Sequence, residues 1–325
     1  MTGSPTAASA RVLLTGGAGF IGSHLAEALL RRGVELAILD DLNGYYDPAL
    51  KRANLEAVRR AGDFEFVHGD ICDAPLVEEL MARFRPAAVF HLAARAGVRP
   101  SLEQPALYQR VNVEGTAVLL EAARRCGVGR FVFASSSSVY GAASRVPFSE
   151  DDPVRAPISP YAASKIAGEA LCHVYSHLYG MRIVCLRFFT VYGPRQRPDL
   201  AIRKFAESIA AGRPIPVFGD GSTGRDYTYI GDIVAGILAA AEHDTAFDVF
   251  NLGNSSPVLL RDMIATLERV LGKPAVIDRQ PLQPGDVPIT YADISKARRL
   301  LGWAPQTSLE TGIRRMAEWL GLLQG

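Results

Sequence analysis

The chain has 325 residues, 48% of them hydrophobic, and a formal net charge of +1. This exceeds the usual single-domain length of roughly 100–200 residues, its balanced charge marks no nucleic-acid surface, and no run of about 18 apolar residues offers a membrane span. Met1 to Ala10 is small and polar, without the basic and apolar parts of a signal peptide, and reads as a disordered lead-in. The four cysteines, Cys72, Cys126, Cys172 and Cys185, have neither C-x-x-C nor metal spacing, so a reduced, metal-free, cytoplasmic protein is expected.

Arg11 to Thr15 is a short apolar run that predicts a buried strand. It leads into Gly16-Gly17-Ala18-Gly19-Phe20-Ile21-Gly22 and then the helical pattern Leu25, Leu29, Leu30. A strand, a glycine turn and a helix in that order make a diphosphate site, because small residues let backbone N–H groups approach and the helix N-terminus supplies positive charge. Gly16, Gly19, Phe20, Ile21 and Gly22 are the candidate contacts. The next strand, Glu35 to Leu39, closes on Asp40, about twenty residues past the turn, where a carboxylate accepts hydrogen bonds from the adenosine ribose. Asp40 and Asp41 would repel a 2′-phosphate and no Arg follows at once, which favours NAD over NADP.

Further βα units continue the pattern. Phe64 to Val67 ends at His68-Gly69-Asp70-Ile71, placing Asp70 and Ile71 at the carboxyl edge where an adenine would lie. Ala88 to His91 runs into Leu92, Ala93 and Ala94, whose small side chains let a cofactor pass close to the backbone. A helix from about Pro105 to Cys126 precedes a strand from Arg130 to Ala134, which ends in Ser135-Ser136-Ser137-Ser138-Val139-Tyr140-Gly141. Strands separated by such helices imply an α/β fold, a doubly wound parallel sheet of the Rossmann type, with ligands bound beyond its carboxyl edge.

Pro160 to Tyr179 has helical spacing, with Ile166, Ala170, Val174 and Leu178 recurring every four residues. It contains Tyr161 and Lys165, which share a helix face at that separation. A cation held near a phenol favours the phenolate and lowers its pKa, giving an acid/base for an alcohol or sugar hydroxyl. Alone, the pattern is equally that of an amphipathic helix with a surface lysine. Met181 to Arg187 predicts another strand. Ala201 to Ala211 (a helix), Pro216 to Gly221, Arg225-Asp226-Tyr227 and Gln280 to Thr290 then suggest a smaller, discontinuous region. Tyr229 to Glu242 and Phe247 to Gly253 return to the large domain, and helices near Ile294 to Leu301 and Leu309 to Leu323 cover the second region.

Ser136, Tyr161, Lys165 and the glycine turn, in that spacing, resemble the extended short-chain dehydrogenase/reductases. The resemblance implies that the Ser hydrogen-bonds the substrate hydroxyl, the Tyr moves the proton, and the Lys binds the nicotinamide ribose and tunes the Tyr. It implies an NAD-binding Rossmann domain over 11–190 with 229–255, and a nucleotide-sugar-binding domain over 191–228 with 256–325. Arg225 matches the family position that binds the sugar-nucleotide diphosphate, Phe218 the uracil wall and Asp286 the uridine ribose. Gln283 stands where several relatives carry a second diphosphate-binding Arg.

Relatives share oxidation at C4 of the sugar and diverge afterwards. Dehydratases carry Asp-Glu after the Ser or Thr, and UDP-glucuronate decarboxylases a Glu two residues before the Tyr of Val-Tyr-Gly; this chain has Ser137 and Ser138 there. A hydroxyl is no acid/base near neutrality, which leaves rotation of the 4-keto intermediate and a 4-epimerase. Asp41 to Pro48 with Leu50-Lys51-Arg52, Ala94 to Arg99, and Phe188 to Pro194 with Arg197-Pro198-Asp199 resemble UDP-glucuronate 4-epimerases. The C6 carboxylate needs charge-assisted donors; Ser137, Ser138, Thr190 and Arg197 are candidates, with Arg99 a further one. A neutral-sugar epimerase and a non-catalytic NAD or nucleotide-sugar sensor are the alternatives. The family also implies a homodimer through the helices near Pro105–Cys126 and Pro160–Tyr179, whose apolar residues lie on more than one side.

Overall fold

Apolar segments alternating with helices build one seven-stranded parallel sheet in the computed structural model, which describes residues 10–142, 145–281 and 288–323. The expected lead-in, up to Ser9, and both Gln283 and Asp286 lie outside the described residues. The strands are β1 (Arg11–Thr15), β2 (Glu35–Asp40), β3 (Glu65–His68), β4 (Ala88–His91), β5 (Arg130–Ser136), β6 (Ile183–Phe188), β7 (Thr190–Tyr192), β8 (Ile215–Phe218), β9 (Gly224–Arg225), β10 (Tyr227–Tyr229), β11 (Phe247–Leu252), β12 (Val258–Leu259), β13 (Ile277–Gln280) and β14 (Ile289–Thr290). The large sheet has the order β11-β6-β5-β4-β1-β2-β3, so the chain leaves β1 toward one edge and returns past it to build the other. Such a reversal opens a crevice at the carboxyl ends of the strands.

The helices are α1 (Phe20–Arg31), α2 (Pro48–Arg59), α3 (Ala74–Phe84), α4 (Val98–Glu103), α5 (Pro105–Gln109), α6 (Gly115–Arg125), α7 (Pro160–Tyr179), α8 (Ala201–Ala210), α9 (Ile230–Glu242), α10 (Leu260–Leu271), α11 (Ser295–Leu301) and α12 (Leu309–Trp319). Among the described residues, none is long and apolar enough to cross a membrane. Two buried clusters pack on the faces of the large sheet, and a third core gathers Ile202, Phe205, Ile215, Met263, Leu267 and Ile313 from the later elements.

Three departures from the sequence expectation bear on the site. The helix expected over Pro105 to Cys126 is broken by a π-helical turn at Arg110–Glu114, a distortion common at functional sites. Strand β5 runs to Ser136 rather than stopping at Ala134, which fixes that hydroxyl in sheet register opposite Phe188. Helices α4 and α10 were not anticipated: α4 has only six residues, too few for periodicity, while Met263, Ile264, Leu267 and Val270 give α10 a readable apolar face.

Helix α7 starts where its chemistry requires. Ser159 caps it by accepting from Ala162 N at 3.1 Å, and Pro160 occupies the first turn, both strong start signals. Its sheet face is made of Ala162, Lys165, Gly168, Cys172 and Ser176, all buried, whereas Val174 and Leu178 of the expected apolar stripe are 43% and 61% exposed. A Cβ on Gly168 would stand 2.3 Å from the Phe133 ring. The missing side chain is therefore what lets α7 settle onto β5 and brings Lys165 beneath the strand end.

Candidate active site

At the crevice lies a cavity of about 1310 Å³. It is lined by Gly16, Gly19, Phe20, Ile21 and Gly22 of the turn, by Asp40, Asp70, Ile71, Leu92, Ala93 and Ala94, and by Ser136, Ser137, Ser138, Tyr161 and Lys165. Thr190, Arg197, Arg99 and Arg225 line it too, from the other side. Residues scattered over the chain thus face one space. Phe218 does not line it directly but stacks near its rim, with the Arg99 guanidinium 5.7 Å from its ring centre. The structure therefore groups Arg99 with the uracil-wall candidate.

The glycine turn is held by Gly19 N donating to Gly16 O at 3.1 Å and Gly16 N to Leu39 O at 2.9 Å. Gly19 is the N-cap of helix α1, which has no side-chain cap and no acidic residue in its first turn. Its first N–H groups, at Phe20 and Ile21, are orphan donors on the cavity wall. That is the donor set a diphosphate needs. Buried Asp40 accepts from Ala18 N at 3.0 Å and Leu42 N at 2.9 Å, so it shapes the turn as well as facing the cavity. Burial pushes its carboxyl above the ordinary value, against the opposing pull of Lys51.

Sequence reasoning missed the supports behind this wall. His91 is buried between Thr15 Oγ1 at 2.8 Å and Thr116 Oγ1 at 3.0 Å. Thr116 donates its own proton to Asn112 O, and Thr15 Oγ1 already accepts from Ala93 N at 3.2 Å. These roles assign the His91 proton to Nε2, a neutral ring, and burial pushes its pKa down to about 3. Asn112, in the π-helical turn, accepts from Arg95 N at 2.8 Å and donates to Ser164 Oγ at 2.9 Å, tying the Ala94–Arg95 loop to α7. Only the unbroken-helix assumption hid its role.

At the catalytic candidates, Tyr161 and Ser136 line the same stretch of the cavity, and Ser136 Oγ accepts from Ser138 N at 3.2 Å. Lys165 Nζ donates to Ala134 O at 2.7 Å and lies 6.0 Å from the Tyr161 ring centre. Burial pushes the lysine down to about 8. The sequence led us to expect a Tyr161 lowered by Lys165; the structure corrects this. Tyr161 is raised, first because burial disfavours the phenolate, with the Ser136 hydroxyl and the Arg197 charge pulling the other way. In this state the phenol is protonated.

On the same cavity wall, the buried Ser138 hydroxyl has no hydrogen-bond partner among the described residues. Arg197 is paired with Asp199 through Nε at 3.0 Å and Nη2 at 2.9 Å, over the Tyr45 ring at 5.2 Å. Thr190 is set by β7 pairing with β10 opposite Tyr227. Next to Arg225 in sequence, Asp226 is a buried carboxylate that accepts from Ser255 N at 3.0 Å and Ala292 N at 2.9 Å. Among the described residues no group of three His, Cys, Asp or Glu side chains forms a metal site.

Residues 13–316 match the family described as GDP-mannose 4,6 dehydratase. The chain is 46% identical to UDP-glucuronate 4-epimerase 3 of Arabidopsis thaliana over 333 residues, covering 97% of this chain and 77% of the relative. The structure of UDP-glucuronic acid 4-epimerase from Bacillus cereus, in complex with UDP-glucuronic acid and NAD, superposes with a TM-score of 0.89 at 38% identity, covering 96% of this chain and 99% of that one. That of UDP-glucose 4-epimerase from Thermotoga maritima, with UDP-glucose, gives 0.88 at 34%, covering 96% and 98%. With a family match spanning nearly the whole described chain, and the glycine turn, Ser136, Tyr161 and Lys165 gathered at one sheet edge, this chain belongs to the GDP-mannose 4,6 dehydratase family of extended short-chain dehydrogenase/reductases.

Proposed function

We propose that the chain is an NAD-dependent 4-epimerase that interconverts UDP-glucuronate and UDP-galacturonate. The observation that carries this is the composition of the wall around Tyr161. The serine run offers hydroxyls where elimination or decarboxylation needs a carboxylic acid, and Arg197 brings a cation to the same cavity. The relatives named UDP-glucuronate 4-epimerase support the same substrate.

The turn, the orphan donors of α1 and Asp40 fit NAD. NAD, when bound there, would supply the reversible hydride acceptor that C4 oxidation and re-reduction require. Tyr161 takes the C4 hydroxyl proton and later restores it, with Ser136 on the same cavity wall to hydrogen-bond that hydroxyl. Lys165 spends one N–H on Ala134 O, leaving two donors for the cofactor ribose and the phenol. The oxidised sugar is a β-keto acid prone to lose CO2. The unpartnered Ser138 hydroxyl, Ser137, Thr190 and Arg197 hold its carboxylate. Phe218 with Arg99 flanks the uracil, Arg225 takes the diphosphate, and Asp286 is assigned the uridine ribose. In this division 11–190 with 229–255 binds NAD and 191–228 with 256–325 binds the nucleotide sugar; β11 pairing with β6 supports it.

Incubation with UDP-glucuronate, resolving UDP-galacturonate, UDP-pentose and unreacted substrate, tests the proposal: UDP-galacturonate without added NAD is expected, and UDP-pentose as the main product overturns it. One observation favours a second reading. Arg197 already has a carboxylate partner in Asp199, so a neutral UDP-glucose or N-acetylated relative would meet no uncompensated cation; faster turnover of those substrates selects it.

The assembly is a homodimer in this proposal. Exposed Val174, Leu178 and Tyr179 on α7 support it, while Leu119 and Leu120 of α6 are spent on the chain's own core. A monomer mass by light scattering at micromolar concentration counts against it. The four unbridged cysteines accord with a reducing cytoplasmic setting.

A further inference from the structure

Helix α2 buries one face, Lys51, Asn54, Leu55 and Val58. Three of these have visible roles. Leu55 and Val58 pack in the core beneath α1, and Asn54 Nδ2 donates to Ala18 O at 2.9 Å, pinning α2 to the glycine turn. Lys51 is different. It is only 5% exposed, yet among the described residues its ammonium makes no hydrogen bond and no salt bridge. It lies over the Tyr46 ring, 5.2 Å from the centroid.

The charges facing Lys51 come from three segments: Asp40 and Asp41 at the end of β2, Arg95 after β4, and Arg197 after β7. Among the described residues no carboxylate lies within 4.0 Å. An ammonium taken out of water without a counter-ion is costly, and a ring contact recovers only part of that cost. Lys51 lines the same cavity as the glycine turn, and its position three residues before Asn54 puts it on the α2 face that touches that turn. Across the space are the orphan N–H donors of α1.

We propose that Lys51 is a further dinucleotide-binding residue, its ammonium taking the NAD diphosphate from the α2 side while the glycine turn cradles it from α1. Lys51 then supplies the counter-charge that the uncapped helix end only partly provides, and receives in return the anion it lacks. The same chemistry is present in a 2′-phosphate on the adenosine ribose. Asp40 and Asp41, both near Lys51, oppose that second location. The inference rests on the NAD reading and is independent of which sugar is bound.

NAD content per chain in the purified protein, and NAD and NADP affinities measured without any sugar nucleotide, test it. Lys51→Met is expected to purify with less NAD than the wild type and to bind it roughly 10–100-fold more weakly, the scale of a hydrogen bond to a charged group. Lys51→Arg should retain most of the affinity. If Lys51→Met does not fold, Lys51→Gln is read the same way. Wild-type NAD content and affinity in the uncharged variant overturn the assignment, as does a loss confined to NADP. A Lys51→Arg chain no better than Lys51→Met overturns it too, because packing rather than charge would then be the cause. Because no sugar nucleotide is used, failure here leaves the epimerase proposal standing.

Discussion

The two walls of the cavity are held in different ways. On the sheet side, polar groups are tied by buried bonds between elements distant in sequence. Glu169, one turn after Lys165, accepts from Ser135 Oγ at 2.5 Å and from Arg187 Nε and Nη2 at 2.9 and 2.8 Å. Arg187 reaches Tyr140 at 3.0 Å, and Tyr140 donates to Asn251 Oδ1 at 2.7 Å. This chain of buried groups links α7, β5, β6 and β11 beneath the serine run. On the other side, Arg197 is held by a residue two positions away whose side chain is 43% exposed. The buried polar groups beneath the serine run are fixed by many constraints at once; Arg197 sits on a short local tie. Such an arm can change its partner without disturbing the sheet.

That contrast can be broken at its centre first. Tyr161→Phe keeps the ring and removes the proton-transfer group, so turnover should fall roughly 10²–10⁴-fold while substrate binding persists; measuring Kd alongside kcat checks both halves. Glu169→Ala should show how far the sheet-side wall depends on its network. It strands the Arg187 guanidinium, 4% exposed, and removing one partner of a buried pair costs about 3–5 kcal/mol, readable by denaturant unfolding. Loss below 1 kcal/mol would mean that the network is ornamental.

The same wall has a pH signature. His91 is neutral with a folded pKa near 3, against an ordinary value of 6.5, so below pH 6.5 the unfolded chain binds a proton that the folded one refuses. Its contribution to stability is whole above pH 6.5 and is lost as pH falls toward 3, by about 1.4 kcal/mol per unit. His91→Gln should flatten that slope in pH-dependent melting.

The opposite wall should respond mildly and selectively. Arg197→Ala or Thr190→Val is expected to raise KM for UDP-glucuronate by roughly tenfold, about 1.4 kcal/mol, with hydride transfer intact. UDP-4-keto-pentose should rise among the products, because a loosely held keto acid loses CO2. A clean product at normal KM in both variants would move the carboxylate site elsewhere.

Much of the site is legible in the sequence because its parts are local. The glycine turn, the serine run and the Tyr161–Lys165 spacing each lie within a few residues, and strand–helix alternation orders them along one sheet edge. What needed the structure is whatever depends on which side of an element faces in. The Ile166–Ala170–Val174–Leu178 stripe looks like the packing face of α7, but Gly168 and the small residues beside it form the side that meets β5. Arg99 gives no hint in sequence that it stacks on Phe218, since the two meet only when the later strands fold back over α4. Lys51 reads as an ordinary helical lysine until Asn54 is seen anchored on the glycine turn.

Sequence alone determined the parallel sheet and the order of its site segments, because spacing and backbone geometry are short-range properties. Tertiary structure decided the proton affinities. Tyr161 is raised and Lys165 lowered by burial, and burial is a property of everything that surrounds a residue rather than of its neighbours in the chain.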